Sequence, residues 1–301
     1  MKIVIGSRGS TLALHQSNWV IGRLKEENPG LECELKVIKT KGDLIQNVAL
    51  DKIGDKGLFV KAIEDQLLSG DIDLAVHSMK DMPSKLPTGL KFSYAPIRVD
   101  NRDVMVLKEG YNSIDELPKG ATIGSGSKRR KYQILKYRPD FNIVPIRGNI
   151  DTRIRKISEE NLDGIILAAA GIERLDFKNR IKNSIEYINR DIILPAPAQG
   201  ILALEIREDR QDINELIKSI RDEKTEIERD AERAFLDGVQ GSCHIPVGAH
   251  CEVLDKKIML QGLFGTEDGS ILIKKSLEGT RDKAAELGYK LAAEITKEMK
   301  K

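Results

Sequence analysis

The chain has 301 residues, 40% of them apolar and 32% charged; a prior of roughly 150 residues per domain predicts about two domains, with one large or three small ones left open. Its 49 Lys and Arg against 47 Asp and Glu leave a formal charge of +2, a balance that argues against a general nucleic-acid or membrane binder. No run approaches the roughly 18 apolar residues of a membrane span, and no segment repeats at a fixed period.

In chain order, Met1-Lys2-Ile3-Val4-Ile5-Gly6 is too short an apolar stretch for a secretory signal and starts a strand at Ile3 to Ile5, so a cytoplasmic protein is expected. Thr11 to Glu27 follows as an amphipathic helix that stops at Asn28-Pro29-Gly30. Glu34 to Ile38 is a strand. Residues 40 to 57 are polar and carry Gly42, Gly54 and Gly57, which reads as a long mobile connection and a lid candidate. Leu58 to Ser69 is helical, and Ile72 to Val76 is a strand running into His77-Ser78-Met79-Lys80-Asp81-Met82-Pro83. In open α/β sheets ligands gather beyond the carboxyl ends of strands, so polar groups there have a raised functional weight. The pattern recurs as Ile123 leads into Gly124-Ser125-Gly126-Ser127-Lys128-Arg129-Arg130, Ile143 to Ile146 into Arg147-Gly148-Asn149, and Ile165 to Leu167 into Ala168-Ala169-Ala170-Gly171. This alternation predicts an α/β protein with mainly parallel sheets. In the last third, a helix over Glu226 to Leu236, a loop over Gly238 to Gly248, antiparallel runs between His250 and Leu277 and a closing helix over Asp282 to Lys300 predict a small α+β domain starting near residue 218.

Between Ile123 and Lys156 lie Lys128, Arg129, Arg130, Lys131, Lys136, Arg138, Arg147, Arg153, Arg155 and Lys156, opposed only by Asp140 and Asp151. That segment carries +8 and leaves −6 for the rest of the chain, which predicts a basic cleft in a slightly acidic protein. Arg129 and Arg147 fall just past strands where helices begin, and helix N–H groups with guanidinium forks suit carboxylate or phosphate. Single-strand binders interleave aromatic platforms, and this stretch offers only Tyr132, Tyr137 and Phe141; a polyanion with carboxylates or phosphates fits better than RNA. Cys33, Cys243 and Cys251 form no close pair and fit a reducing compartment, and His15, His77, His244 and His250 have no zinc spacing, so no metal is expected.

These residues together resemble the hydroxymethylbilane synthases, also called porphobilinogen deaminases. The carriers are Ser7-Arg8-Gly9-Ser10 with Leu12-Ala13-Leu14, Gly57-Leu58-Phe59-Val60-Lys61, His77-Ser78-Met79-Lys80-Asp81-Met82-Pro83 and Ser127-Lys128-Arg129-Arg130. Arg147-Gly148-Asn149 with Thr152-Arg153, Leu194-Pro195-Ala196 with Gln199-Gly200, and Cys243-His244-Ile245-Pro246-Val247-Gly248 complete an ordered set along nearly the whole chain. The resemblance implies a transferase of tetrapyrrole biosynthesis that joins four porphobilinogens head to tail, releases four ammonia molecules and yields hydroxymethylbilane, priming on a covalent dipyrromethane cofactor. Each pyrrole bears an acetate and a propionate, so the growing chain is a polycarboxylate.

Residue by residue, the resemblance makes Cys243 the thioether-bearing cysteine and Asp81 the catalytic carboxylate. It assigns Lys56, Lys80, Asp81, Ser125, Ser127, Arg129, Arg130 and Arg153 to the cofactor. Arg8, Ser10, Arg147, Arg153 and Arg174 fall to the substrate, and Arg8 and Arg147 are the choice for incoming carboxylates. Phe59 either stacks on a pyrrole or packs in a helix core, Cys33 and Cys251 remain packing residues, and sequence adjacency of Cys243 and His244 does not make a nucleophilic dyad. Ser242 stands where the family often has glycine, and Arg98-Val99-Asp100-Asn101-Arg102-Asp103 matches only loosely.

The implied architecture is two α/β domains like those of solute-binding proteins, with a hinged cleft between them, plus a smaller C-terminal α+β domain. Domain 1 comprises residues 1–98 and 195–217, domain 2 residues 99–194 and domain 3 residues 218–301, which brings Cys243. Arg8, Asp81, Arg129 and Arg147 would face the cleft, with the loop at 43 to 57 closing over it. A monomer acting on a small molecule, with no nucleic-acid or membrane partner, is expected; an anion-binding module without chemistry and an RNA binder are the alternatives.

Overall fold

The computed structural model describes residues 1–40, 60–241 and 245–300. The chain divides into two compact units, one of Met1–Val99 with Gly200–Glu226 and the other of Asp100–Gln199 with Ile227–Lys301.

In the first unit, β1 (Lys2–Arg8) pairs in parallel with β2 (Glu32–Ile38) and β3 (Leu74–Ser78). The chain returns late as β10 (Leu202–Arg207), which runs antiparallel between β3 and β4 (Leu90–Phe92) and gives the order β2-β1-β3-β10-β4. The helix Thr11–Glu27 forms where predicted, because Ser10 caps it by accepting from the Ala13 N–H at 3.3 Å. Its Val20 and Leu24 pack on Ile3, Ile5, Leu74, Val76 and Leu204. On the opposite face Ile63 and Leu67 of the helix Lys61–Ser69 pack on Ile38, Ile72, Ala75 and Leu90. That helix ends at Gly70, whose φ of 82° is open to glycine at no steric cost.

The strand predicted over Ile72 to Val76 lies two residues later. His77 and Ser78 belong to it because they pair with Ala203 and Leu202 of β10, a partner more than 120 residues away that local periodicity does not show. The same strand, buried almost throughout, has no alternation to betray it.

The second unit repeats this ladder. Here β6 (Thr122–Gly124) pairs in parallel with β7 (Asn142–Val144) and β8 (Gly164–Ala168), while β5 (Asp103–Leu107) runs antiparallel to β8 and to β9 (Ile185–Tyr187). The order is β7-β6-β8-β5-β9, over a core that includes Met105, Leu107, Ile123, Ile134 and Ile166. Each five-stranded sheet thus has one strand opposed to its neighbours, β10 or β5, and with half of its pairings antiparallel is mixed rather than mainly parallel.

The same unit holds an antiparallel meander of β11 (Val247–Val253), β12 (Lys257–Gly265) and β13 (Leu272–Thr280), closed by the helix Ala284–Met299. Phe235, from the helix Glu223–Gly238, is fully buried among Ile258, Leu260, Leu291 and Ile295. Gly262 lets that ring lie against the sheet: a Cβ there would stand 2.6 Å from Phe235. No helix of the described residues is long and apolar enough to cross a membrane.

Candidate active site

In the first unit the carboxyl ends of β1 and β3 frame a cavity of about 90 Å³ lined by Arg8, Ser10, Gln16, His77, Ser78 and Asp81, among others. Arg8 is the last residue of β1 and Ser10 the helix cap two residues further on. Beyond β3 the chain makes a single 3-10 turn, Met79–Asp81. The turn is held by the Met79 N–H donating to the Ile201 carbonyl at 3.0 Å and the Met82 N–H donating to the Met79 carbonyl at 3.1 Å. Met79 and Met82 are buried, so the turn is anchored by its methionines and exposes Asp81 between them. Gln16 Nε2 donates to Ser78 Oγ at 3.1 Å, tying the helix to the base of the turn. Arg8, Ser10 and Asp81 therefore meet around one cavity; Lys80 sits half-buried on the same turn.

In the second unit the basic residues are distributed differently from the sequence expectation. Ser127 caps the helix Lys128–Tyr137 and its Oγ accepts from the Arg130 N–H; Ser125 Oγ accepts from the Ser127 N–H at 3.3 Å. Arg129 and Arg130 turn inward. Arg129 Nη1 donates to Asp103 Oδ2 at 2.6 Å and to the Leu194 carbonyl at 2.8 Å. Arg130 donates to Asp103 Oδ1 from Nε at 3.0 Å and Nη2 at 2.8 Å, and to the Ile166 carbonyl from Nη1. Asp103 is fully buried, and Gln199 Nε2 adds a further donor at 3.1 Å. Burial alone would raise the Asp103 pKa; the charges of Arg129 and Arg130 outweigh it and hold the carboxyl well below the usual carboxylate range.

The expected +8 face is correspondingly reduced. Lys128 pairs with Glu267, Arg138 with Asp140 and Lys156 with Glu160, beside the two arginines on Asp103. Counting between Ile123 and Lys156 missed Asp103, Glu160 and Glu267, which lie outside the segment in sequence and against it in space. Arg147 stands at the turn after β7, where Gly148 has φ 112° and Asn149 caps the helix Ile150–Glu159 by accepting from Thr152 N at 3.0 Å. Arg153 Nε donates back to the Gly148 carbonyl at 2.8 Å, stiffening that turn. Arg174 ends the short helix after β8, and burial lowers its pKa to about 10 against the opposing charge of Glu173.

Asp103→Asn leaves two buried guanidinium groups without their carboxylate, and a loss of about 3–5 kcal/mol of unfolding free energy is expected at neutral pH. A depressed carboxyl contributes stability that is present above its unfolded pKa of about 4 and lost as pH falls toward the folded value. Denaturant unfolding at pH 7 and pH 3 should therefore show the wild type losing stability in acid, with the variant's deficit smaller there. An equal deficit at both values would remove Asp103 from that role.

Lys56, Phe59, Cys243 and the lid candidate at 43 to 57 lie outside the described residues. Sequence reasoning gave no role in the site to Gln16, Asp103, Gln199 or the buried pair His77 and Glu205. The signals present were the motif positions of His77 and Gln199 and two acidic residues, Asp103 and Glu205, set in otherwise apolar runs.

Two family models match the chain: "Porphobilinogen deaminase, dipyromethane cofactor binding domain" over residues 3–215, and "Porphobilinogen deaminase, C-terminal domain" over residues 227–297. The chain belongs to the porphobilinogen deaminase family. A family member from Clostridium novyi (strain NT) is 60% identical over 99% of this chain and 100% of its own length. One from Clostridioides difficile (strain 630) is 58% identical over 99% and 98%. Among solved structures, the probable amino-acid ABC transporter extracellular-binding protein of Bacillus subtilis aligns at 13% identity and a TM-score of 0.42 over 79% of this chain and 96% of that one. The BvgS periplasmic VFT2 domain of Bordetella pertussis aligns at 14% identity and 0.41 over 73% and 86%. The cofactor-domain match spans Arg8, Asp81, Ser125 and Arg147, and the C-terminal match spans Cys243.

Proposed function

We propose that this chain joins four porphobilinogens head to tail into hydroxymethylbilane with release of four ammonia molecules, in tetrapyrrole biosynthesis, and that it carries a dipyrromethane as a thioether on Cys243. Family membership over nearly the whole chain is the observation that carries this reading. The donors of the site fit the group chemically: a dipyrromethane presents carboxylates and pyrrole N–H groups, and the candidate residues are guanidinium, ammonium and hydroxyl donors with one exposed carboxylate, Asp81. When bound, the group supplies the pyrrole terminus on which the chain grows.

Cofactor carboxylates are assigned to Lys56, Lys80, Ser125, Ser127, Arg129, Arg130 and Arg153. Porphobilinogen carboxylates are assigned to Arg8, Ser10, Arg147, Arg153 and Arg174. Each charge-assisted hydrogen bond contributes about 1.5–3 kcal/mol, so several are needed to hold a polycarboxylate against water. For Arg174, whose charge is disfavoured by burial, a substrate carboxylate restores what desolvation removes. Asp81 stabilises the cation formed from porphobilinogen as its amine leaves and relays the protons exchanged in each condensation.

Residues 1–98 with 195–217, 99–194 and 218–301 are read as three functional domains, supported by the separate core of the C-terminal meander. The protein is read as a cytoplasmic monomer without nucleic-acid partners. Purified wild-type protein should show a covalent mass increment of two pyrrole units and consume porphobilinogen with release of ammonia. An unmodified mass together with no deaminase activity would overturn the reading.

A further inference from the structure

Behind the Asp81 cavity the sheet of the first unit buries three titratable side chains. His77 lines the cavity, and its Nε2 lies 3.0 Å from Glu205 Oε2, with side-chain exposures of 4% and 0%. Glu64, on the helix Lys61–Ser69 that covers this face, is also buried. One carboxylate oxygen of each acid, Glu64 Oε1 and Glu205 Oε1, has no hydrogen-bond partner among the described residues. Around them the face is built of Ile38, Ile63, Leu67, Ile72, Ala75 and Leu90. Buried ionisable groups are weak contributors to stability, and a pair of them set in an apolar layer beside a catalytic cavity points to use rather than to support.

The charge state follows from the surroundings of Glu64. Burial pushes its carboxyl up, the charge of Glu205 pushes it further and Asp65 adds to this, while His77 and Lys61 oppose. Burial and the neighbouring carboxylate of Glu205 thus both favour the neutral form of Glu64.

We propose that Glu64, Glu205 and His77 hold one exchangeable proton behind the cavity, and that His77, positioned by Glu205, is the group through which that proton is passed to and from the reaction at Asp81. The inference rests on the proposed activity. In each condensation the porphobilinogen aminomethyl nitrogen takes a proton, the C–N bond breaks with its electron pair leaving on ammonia, and the new C–C bond forms. The accepting pyrrole carbon then gives up its proton. One proton leaves the protein and one returns, so the cluster ends each cycle as it began and no further reagent is required.

His77→Gln keeps a hydrogen bond to Glu205 but cannot carry a proton. It is expected to lower kcat by about 10²-fold, within the range of general acid–base effects, with KM for porphobilinogen little changed. Glu64→Gln keeps size and mimics the protonated acid, and it should alter the shape of the kcat–pH profile. Independently of activity, a raised carboxyl makes wild-type stability fall as pH rises from the ordinary glutamate range through the raised value. Thermal unfolding should therefore show the melting-temperature difference between Glu64→Gln and wild type growing in the variant's favour with pH.

If His77→Gln does not fold, Glu64→Gln decides alone. Wild-type kcat–pH and stability–pH curves in a folded Glu64→Gln would overturn the proposal, as would a fall in kcat for His77→Gln with an unchanged pH profile in both variants. A wild type without deaminase activity would instead refute the proposed function, which separates the two failures.

Discussion

Asp81→Ala, folded and carrying its cofactor, is expected to lose turnover by about 10²- to 10⁴-fold, the range that a positioned acid–base group supplies. The chemistry demands a proton on the departing amine, a counter-charge for the cation left behind and an acceptor for the proton released on condensation. In the cavity at the ends of β1 and β3, Asp81 is the exposed carboxylate among the lining residues. Its turn is anchored by buried Met79 and Met82 and by the Met79 hydrogen bond to Ile201, so replacement at the exposed position should leave the fold intact. Asp81→Asn separates the contributions, since it keeps the shape and removes the charge. Steady-state turnover and intact mass measured on the same preparation check the expectation; near-normal turnover in a loaded Asp81→Ala would remove Asp81 from the mechanism.

Cys243→Ser should abolish both the covalent mass increment and turnover, because a serine ether is not formed by the chemistry that alkylates a thiolate. The other two cysteines serve as controls with opposite expectations. Cys251 is completely buried in β11, and burial pushes the Cys33 thiol up, with Lys25 opposing, so neither offers an accessible thiolate. Cys33→Ser should keep the increment and the activity. Retention of the increment in Cys243→Ser, with its loss in Cys33→Ser, would move the attachment site.

Much of the candidate site was readable from residue order. The helix Thr11–Glu27 carries its own cap in Ser10 and its own stop in Asn28-Pro29-Gly30, and local signals of that kind act within a few residues. The polar turns after β1, β3, β6 and β7 followed from short apolar runs that end in Gly, Ser, Arg and Asp. The strands β4, β5, β9 and β10 were not legible. They are short or buried on both faces, and a continuous apolar run does not declare a strand by its period.

Charge shows the division most plainly. The sequence by itself determined that the chain is near neutral, that its positive charge is concentrated between Ile123 and Lys156, and that Arg8, Asp81 and Arg147 fall at the ends of strands. Only the tertiary structure decided what those charges meet: Arg129 and Arg130 face Asp103, 26 and 27 positions away, and His77 faces Glu205, 128 positions away. An electrostatic interaction depends on distance and on exclusion of water. A sum along the chain contains neither, so the composition set the inventory of charges while the fold assigned some to a buried network and left others at the cavity.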